Sequence, residues 1–145
     1  MSHLGQFLKE RKAGLDPDLG ATQAIEAWKS VAGRLMTRMQ KVLAPYRDEL
    51  TIQTWLPLFQ DAGHRYNVPA LTMQFLDDQI TVQPKKAPIR ERNGRVEMSC
   101  GLNIVWLLWS GGETWSYKWE YPARADGPQP LTDEAIEQIV EELLK

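Results

Sequence analysis

The segment Asp61-Ala62-Gly63-His64-Arg65 is where the residue types and spacing of this sequence come closest to a catalytic arrangement. His64 could act as a general base oriented by Asp61, and Arg65 could supply a cation. One histidine does not define an active site, however, and no spacing of Cys and His suits zinc. The sequence therefore favours a non-enzymatic protein with no metal ion and no cofactor.

Basic side chains gather in two places. The first is a predicted helix, in which Arg34, Arg38 and Lys41 share one face through their i, i+4, i+7 spacing and no acidic residue occurs between 27 and 47. The second is a predicted loop. Its basic residues are Lys85, Lys86, Arg90, Arg92 and Arg95.

Together these two groups could neutralise several phosphates of a nucleic acid. The simpler interpretation is a solvated helix face and a charged loop that protects a sheet edge from aggregation. We favour the simpler one, because a pI of about 5.7 is low for a nucleic-acid-binding protein.

Six tryptophans in 145 residues form the third unusual feature. Period-two alternation predicts that Trp106, Trp115 and Trp119 share one apolar sheet face and build the core. The same alternation directs Trp55 and Trp109 to the other face. These two are the candidates for an exposed contact surface.

The elements that position these side chains begin with a hairpin over residues 102–121. We predict a two-residue turn at Gly111-Gly112, because a type I′ turn needs positive φ at both central positions. The predicted pairs on the apolar face are Leu108 with Trp115, Trp106 with Tyr117, Ile104 with Trp119 and Leu102 with Tyr121.

Three further strand regions are predicted. Residues 50–56 alternate in polarity up to Pro57 and indicate one strand. A second hairpin is predicted with Asp77-Asp78 as its turn, and a slipped or longer loop is the alternative because Asp-Asp is a poor turn pair. Apolar residues then occupy even positions from Val96 to Leu108, which predicts one long strand bent at Gly101.

Helices are predicted at both ends of the chain. Apolar residues spaced three and four apart from Ile25 to Tyr46 indicate a helix of about six turns, with Thr22 as its cap and Pro45 at its end. A short helix over residues 4–14 precedes it. A last helix begins after Thr132, and its buried stripe consists of Ile136, Ile139, Val140 and Leu143.

These elements predict an α+β fold: an antiparallel, curved meander sheet of five to six strands with two N-terminal helices and one C-terminal helix on one face. One domain is expected over 1–145, comprising a helical segment (1–46), the sheet (50–121) and the last helix (131–145). The lone Cys100 cannot form an internal disulfide, and no apolar run is long enough for a signal peptide or a membrane span. We therefore expect a cytoplasmic protein with no membrane partner.

The leading functional hypothesis is a protein-interaction module, such as an adaptor, an inhibitor or a chaperone, that contacts another protein through Trp55 and Trp109, with charge complementarity from the acidic last helix or the basic loop. His64 and Arg65 are further candidates for contact with the partner. The first alternative is a nucleic-acid-binding module that uses the basic helix and the 85–95 loop. The second is a small-ligand carrier whose pocket is lined by Trp106, Tyr117 and Trp119 in the concave face of the sheet.

Overall fold

The computed structural model describes residues 3–6, 18–61, 64–87, 94–112 and 114–145. Helix α1 (Asp18–Leu43) runs into a short 3-10 turn at Ala44–Tyr46, and helix α2 spans Asp133–Leu144. The strands are β1 (Thr51–Trp55), β2 (Leu58–Asp61), β3 (His64–Asn67), β4 (Ala70–Phe75), β5 (Asp78–Lys86), β6 (Gly94–Cys100), β7 (Asn103–Trp109), β8 (Ser116–Tyr121) and β9 (Gln129–Pro130).

Seven strands form one antiparallel sheet in the order β1-β4-β5-β6-β7-β8-β9, and β2 pairs with β3 alone. The expected α+β fold with an antiparallel sheet is therefore confirmed. The predicted count of five to six strands is wrong. Of the short helix expected over 4–14, residues 3–6 are helical and 7–14 lie outside the described residues.

The separate pair β2–β3 continues the β1–β4 hairpin. The opposed pairs keep one register from Thr51 with Gln74 to the last described pair, Asp61 with His64. The ladder breaks where Pro57 enters, because proline has no N–H to donate. The described bonds that span the break are a 3.4 Å bond from the Val68 N–H to the Pro57 carbonyl and a 3.2 Å bond from Asn67 Nδ2 to the Leu56 carbonyl. The strand predicted at 50–56 is thus one arm of a longer, interrupted hairpin.

The β4–β5 turn lies at Leu76-Asp77, one residue before the predicted Asp77-Asp78 turn. Leu76 adopts a φ of +53°, which leaves Phe75 opposite Asp78. The register therefore slips by two residues from the predicted one. Because side chains alternate with period two, this slip leaves every side chain on its expected face.

The predicted long strand with a bend at Gly101 is wrong. The chain reverses at Gly101-Leu102, where Gly101 has a φ of +60° and Cys100 pairs with Asn103. A two-residue turn places even-numbered residues of β6 beside odd-numbered residues of β7, so Met98 lies opposite Val105. The buried side chains of β7 are therefore the odd-numbered ones.

The β7–β8 register is offset by one residue from the prediction. Both glycines have positive φ as expected, +117° for Gly111 and +75° for Gly112. The connection is longer than two residues, however, and Trp106 pairs with Lys118 instead of Tyr117. A one-residue offset moves a whole strand to the other face. The face predicted for β7 is therefore wrong, whereas Trp115 and Trp119 of the second arm are buried as predicted.

The two faces of the sheet differ in burial. One row across five strands is wholly buried and consists of Leu71, Val82, Met98, Val105 and Trp119. A row on the other face has no buried member and consists of Gln83, Glu97, Trp106 and Lys118. We call the first the helix-side face, because both helices contribute to the same buried cluster, and the second the outer face.

The helices follow their predicted stripes. In α2, Thr132 caps the first turn, its Oγ1 accepting a hydrogen bond from the Ala135 N–H at 3.0 Å, and all four predicted stripe residues are buried. In α1 the predicted cap is wrong, because Thr22 lies inside a helix that begins at Asp18. Tyr46, the last predicted stripe residue, is exposed. No helix among the described residues has both the length and the apolar character needed to cross a membrane.

Candidate partner-binding site

Strand β1 forms one edge of the large sheet. Among the described residues it pairs with β4 alone, so its other edge presents N–H and C=O groups without a strand partner. Its sequence, Thr51-Ile52-Gln53-Thr54-Trp55, holds no charge, proline or glycine. Natural sheets usually protect such an edge with charges, proline or a very short strand. The opposite edge is protected in this way, because β9 has two residues and one is Pro130.

The two faces of β1 offer different surroundings. Ile52 is half-buried and packs against the core on the helix-side face. Trp55 points to the outer face and is 39% exposed, as the alternation predicts. The chain beyond it continues with two still more exposed apolar side chains, Leu56 at 60% and Leu58 at 64%.

A groove of about 700 Å³ lies along α1 on the helix-side face and meets β1 at Thr54. Thr54 and Pro69 line one side, and the exposed flank of α1 lines the other. The lining residues from α1 are Lys29, Ser30, Gly33, Arg34, Met36, Thr37, Arg38, Gln40 and Lys41. None of the described residues that line this groove is acidic, and we call it the basic groove.

The structure thus brings together the three basic helix residues predicted to share a face, but they are not equivalent. Arg38 is held by α2: its Nε donates to Asp133 Oδ1 at 2.9 Å, and its Nη2 donates to the Leu131 carbonyl at 2.9 Å. Arg34 and Lys41 make no hydrogen bond or ion pair with any described residue. Their charges are available to a ligand.

The described members of the second basic group do not line the basic groove. Lys86 pairs with Arg95 across the β5–β6 ladder, and the Arg95 guanidinium lies 5.5 Å from the ring centroid of Trp106 on the outer face. Lys85 is exposed, and Arg90 and Arg92 lie outside the described residues. No described residue of the predicted 85–95 loop lines the groove on α1.

Trp109 does not occupy the predicted exposed position. It lies opposite Gly94 at the end of β7, half-buried, with its ring centroid 6.1 Å from that of Trp28 and 6.5 Å from that of Trp115. Its Nε1 donates to the Gly112 carbonyl at 2.9 Å. The one-residue offset of β7 exchanges two tryptophans between faces: Trp109 joins the core-side cluster and Trp106 moves to the outer face.

The same exchange removes the aromatic pocket predicted for a ligand carrier. Trp106 lies on the outer face, whereas Tyr117 and Trp119 lie on the helix-side face. Side chains from both helices already pack against that second face. These three rings therefore cannot line one cavity.

The residues with catalytic potential remain few. Asp61 and His64 oppose each other in the β2–β3 ladder, and the neighbouring Arg65 is exposed. Burial raises the pKa of the Cys100 thiol, and the charge of Asp78 raises it further, so less of this thiol is in the nucleophilic thiolate form. Within the described ranges, no group of three His, Cys, Asp or Glu side chains is placed to hold a metal ion.

A second groove, of about 560 Å³, lies where the C-terminal ends of α1 and α2 meet the sheet. Its floor is apolar, with Phe75 and Val140, and its rim carries Glu137 and Glu141. The Tyr46 hydroxyl donates to Glu137 Oε1 at 2.8 Å across this rim. The molecule thus has an acidic groove at one end of α1 and the basic groove along its flank.

Comparison of this chain with models of known protein families, with curated proteins and with solved structures found no match.

Proposed function

We propose that this protein is a non-enzymatic interaction module that binds an extended segment of another protein as an additional strand on β1. The observation that carries the proposal is the open, uncharged edge of β1 in a sheet whose other edge is closed by Pro130. In strand addition, main-chain hydrogen bonds supply affinity and the side chains on both faces supply specificity.

The surroundings of β1 supply both sources of specificity. Side chains of an added strand would point alternately to the basic groove and to the outer face around Trp55. Trp55 has large exposed apolar area and an N–H donor, which is the combination enriched at protein interfaces. Trp55 therefore remains a contact residue in the proposal. Trp109 does not, and the open edge of β1 supplies the main contact in its place.

The test requires a variant that blocks the free edge and leaves the β4 ladder intact. In an antiparallel strand, adjacent residues direct their N–H groups to opposite sides. Gln53→Pro and Thr54→Pro therefore form a matched pair, of which one removes an N–H from the free edge and the other removes an N–H from the β1–β4 ladder. The variant that keeps the melting temperature of the wild type is the edge-blocked protein, and the other serves as its destabilised control.

Ten-residue peptides selected from a random display library on the wild-type protein provide the ligands. We expect selected peptides to slow hydrogen exchange of amides in residues 51–55 and to lose binding to the edge-blocked protein. Peptides that instead protect the acidic groove around Tyr46 and Glu137, or a library that yields no binder, would refute strand addition at β1.

A further inference from the structure

Resting on the proposed strand addition, we infer the chemistry of the bound segment: it alternates acidic and apolar side chains. The acidic ones face the basic groove, and the apolar ones face Trp55. The open edge alone accepts any extended strand. The charges of the basic groove and the exposed apolar side chains beside Trp55 determine which strand binds best.

Part of the positive charge of the basic groove is not compensated by described acidic residues. Arg34 and Lys41 have no ion-pair partner among the described residues, and the charge of Arg38 is already balanced by Asp133. Lys29 has only a long contact of 3.6 Å with the exposed Glu26. Positive charges that line one groove repel each other, so carboxylates placed between them relieve this repulsion as well as forming new pairs.

The spacing of the two unpaired cations along α1 is close to the spacing of alternate residues in an extended strand. Arg34 and Lys41 are seven residues apart along α1, which corresponds to about 10 Å at the α-helical rise of 1.5 Å per residue. Same-face residues of an extended strand are spaced about 7 Å apart. The Arg and Lys side chains are long enough to bridge the difference between these two spacings. Two or three acidic residues at alternate positions of the added strand therefore reach both cations.

The other face of the added strand would meet an uncharged and partly apolar surface. On that side β1 presents Thr51, Gln53 and Trp55, none of them charged, and the chain continues into the exposed Leu56 and Leu58. Apolar side chains at the intervening positions of the ligand would cover part of this apolar surface. A segment that is acidic at every position would leave it exposed.

The same cations favour a protein segment over a nucleic acid. The affinity for a nucleic acid rises with the number of phosphates that basic residues on one surface can neutralise. The basic groove ends at the uncharged Thr54 and Pro69, and Arg95 with its neighbour Lys86 lies on the outer face. The described members of the two basic groups predicted from the sequence thus lie on separate surfaces. Of the two, the basic groove matches a short acidic strand.

The experiment compares labelled ten-residue peptides by fluorescence anisotropy at 50 mM salt. The lead peptide alternates Glu with Val or Tyr. One control has the same composition with its acidic residues in one block, and another carries Gln in place of every Glu. A single-stranded oligonucleotide of 20 nucleotides is the fourth probe. We expect the alternating acidic peptide to bind about five- to tenfold more tightly than the Gln peptide, as two partly exposed ion pairs would give.

The protein variants separate the groove from charge in general. In Arg34→Gln/Lys41→Gln we expect the preference for Glu over Gln peptides to fall below about twofold, with an unchanged melting temperature. Arg47→Gln is the matched control, because Arg47 is exposed and lies just beyond α1, outside the groove lining. It should keep the full preference. Raising the salt to 300 mM should reduce the preference in the wild type and in Arg47→Gln alike, and should change it little in the double variant.

Failure of this inference is distinguishable from failure of strand addition. If the Gln peptide binds as well as the Glu peptide and both lose binding to the edge-blocked protein, strand addition stands and the acidic preference is wrong. If no peptide protects the amides of 51–55, strand addition itself fails. If the oligonucleotide binds through Arg34 and Lys41 while the peptides do not, the groove is a nucleic-acid site and the inference is overturned.

Discussion

Gly94 lies directly against the indole of Trp28. A Cβ atom built on Gly94 would come within 2.5 Å of Trp28 Cζ3 and 2.9 Å of Trp28 Cη2. Trp28 is fully buried and also contacts the rings of Trp109 and Trp115, so its ring has little room to move away. The first residue of β6 must therefore be glycine for α1 to pack this closely on the sheet.

Gly94→Ala tests this contact. We expect the added methyl group to lower the free energy of unfolding by about 1–3 kcal/mol, the usual cost of overpacking a filled core. Urea denaturation followed by tryptophan fluorescence measures it. Gly127→Ala is the matched control, because its Cβ would have no atom within 4 Å, and it should change the stability by less than about 0.5 kcal/mol. Equal effects of the two changes would contradict the packing described here.

Two tryptophan substitutions test the register of β7 and β8. Trp119 is 8% exposed, with the Arg124 guanidinium 4.2 Å from its ring centroid, so Trp119→Ala should cost about 3–5 kcal/mol. Trp106 is half-buried on the outer face, and Trp106→Ala should cost under about 2 kcal/mol. The register predicted from sequence would make both changes equally severe, and thermal melts of the two variants decide between the registers.

Arg38 links α1 to the start of α2. Arg38→Gln removes both the ion pair with Asp133 and the hydrogen bond to the Leu131 carbonyl, and we expect a loss of about 1 kcal/mol. Asp133→Asn removes the ion pair alone and should cost less. A double-mutant cycle at low and high salt should show a coupling of about 0.5 kcal/mol that shrinks as the salt rises. Exact additivity at low salt would mean that the pair contributes nothing.

A fourth prediction concerns alkaline pH. The hydrogen bond from the Tyr46 hydroxyl to Glu137 raises the pKa of Tyr46 above its usual value of 10.0, because ionisation would break the bond and place two negative charges together. A raised folded-state pKa contributes stability that is present below pH 10 and is lost as the pH rises through the pKa of Tyr46. Tyr46→Phe should therefore remove a late component from the phenolate absorbance titration.

The stability of the Tyr46→Phe variant should also fall less steeply above pH 10 than that of the wild type. Tyr121→Phe is a suitable control, because Tyr121 is likewise exposed and has no hydrogen bond from its hydroxyl to another described residue. Identical titration curves for Tyr46→Phe and Tyr121→Phe would show that Glu137 does not influence Tyr46.

Features that depend on neighbouring residues in the chain could be predicted from sequence. The Thr132 cap, the stripe of α2 and the positive φ of Gly111 and Gly112 follow from local stereochemistry, and the structure has all three. The faces of β4 and β5 were also predictable, because a slip of two residues preserves the alternation.

Registers that depend on the exact length of a connection could not be predicted in this way. The even-numbered apolar residues from Val96 to Leu108 form an unbroken pattern that does not reveal a reversal at Gly101-Leu102. After that two-residue turn the buried residues become odd-numbered, and the error carries into the pairing with β8. Glycine at Gly101 fits a bend as well as a turn, so only the three-dimensional pairing separates them.

The candidate site was predictable in part. The shared face of Arg34, Arg38 and Lys41 follows from helical spacing, and the exposure of Trp55 follows from strand alternation. Two other features depend on contacts between residues far apart in the chain. These are the ion pair of Asp133 with Arg38 and the position of β1 at the edge of the sheet. No local pattern in Thr51–Trp55 indicates which of its edges will find a partner.

The unequal protection of the sheet at β1 and β9 also limits how copies of this chain can assemble with one another. A fibre would require each molecule to offer two complementary growing ends, and Pro130 terminates one of them. Through the two edges of the seven-stranded sheet, two molecules can join only β1 to β1, about a twofold axis, and that union consumes the reactive end of both. Any self-assembly through this sheet therefore stops at a closed pair, which would compete with the partner for the same backbone.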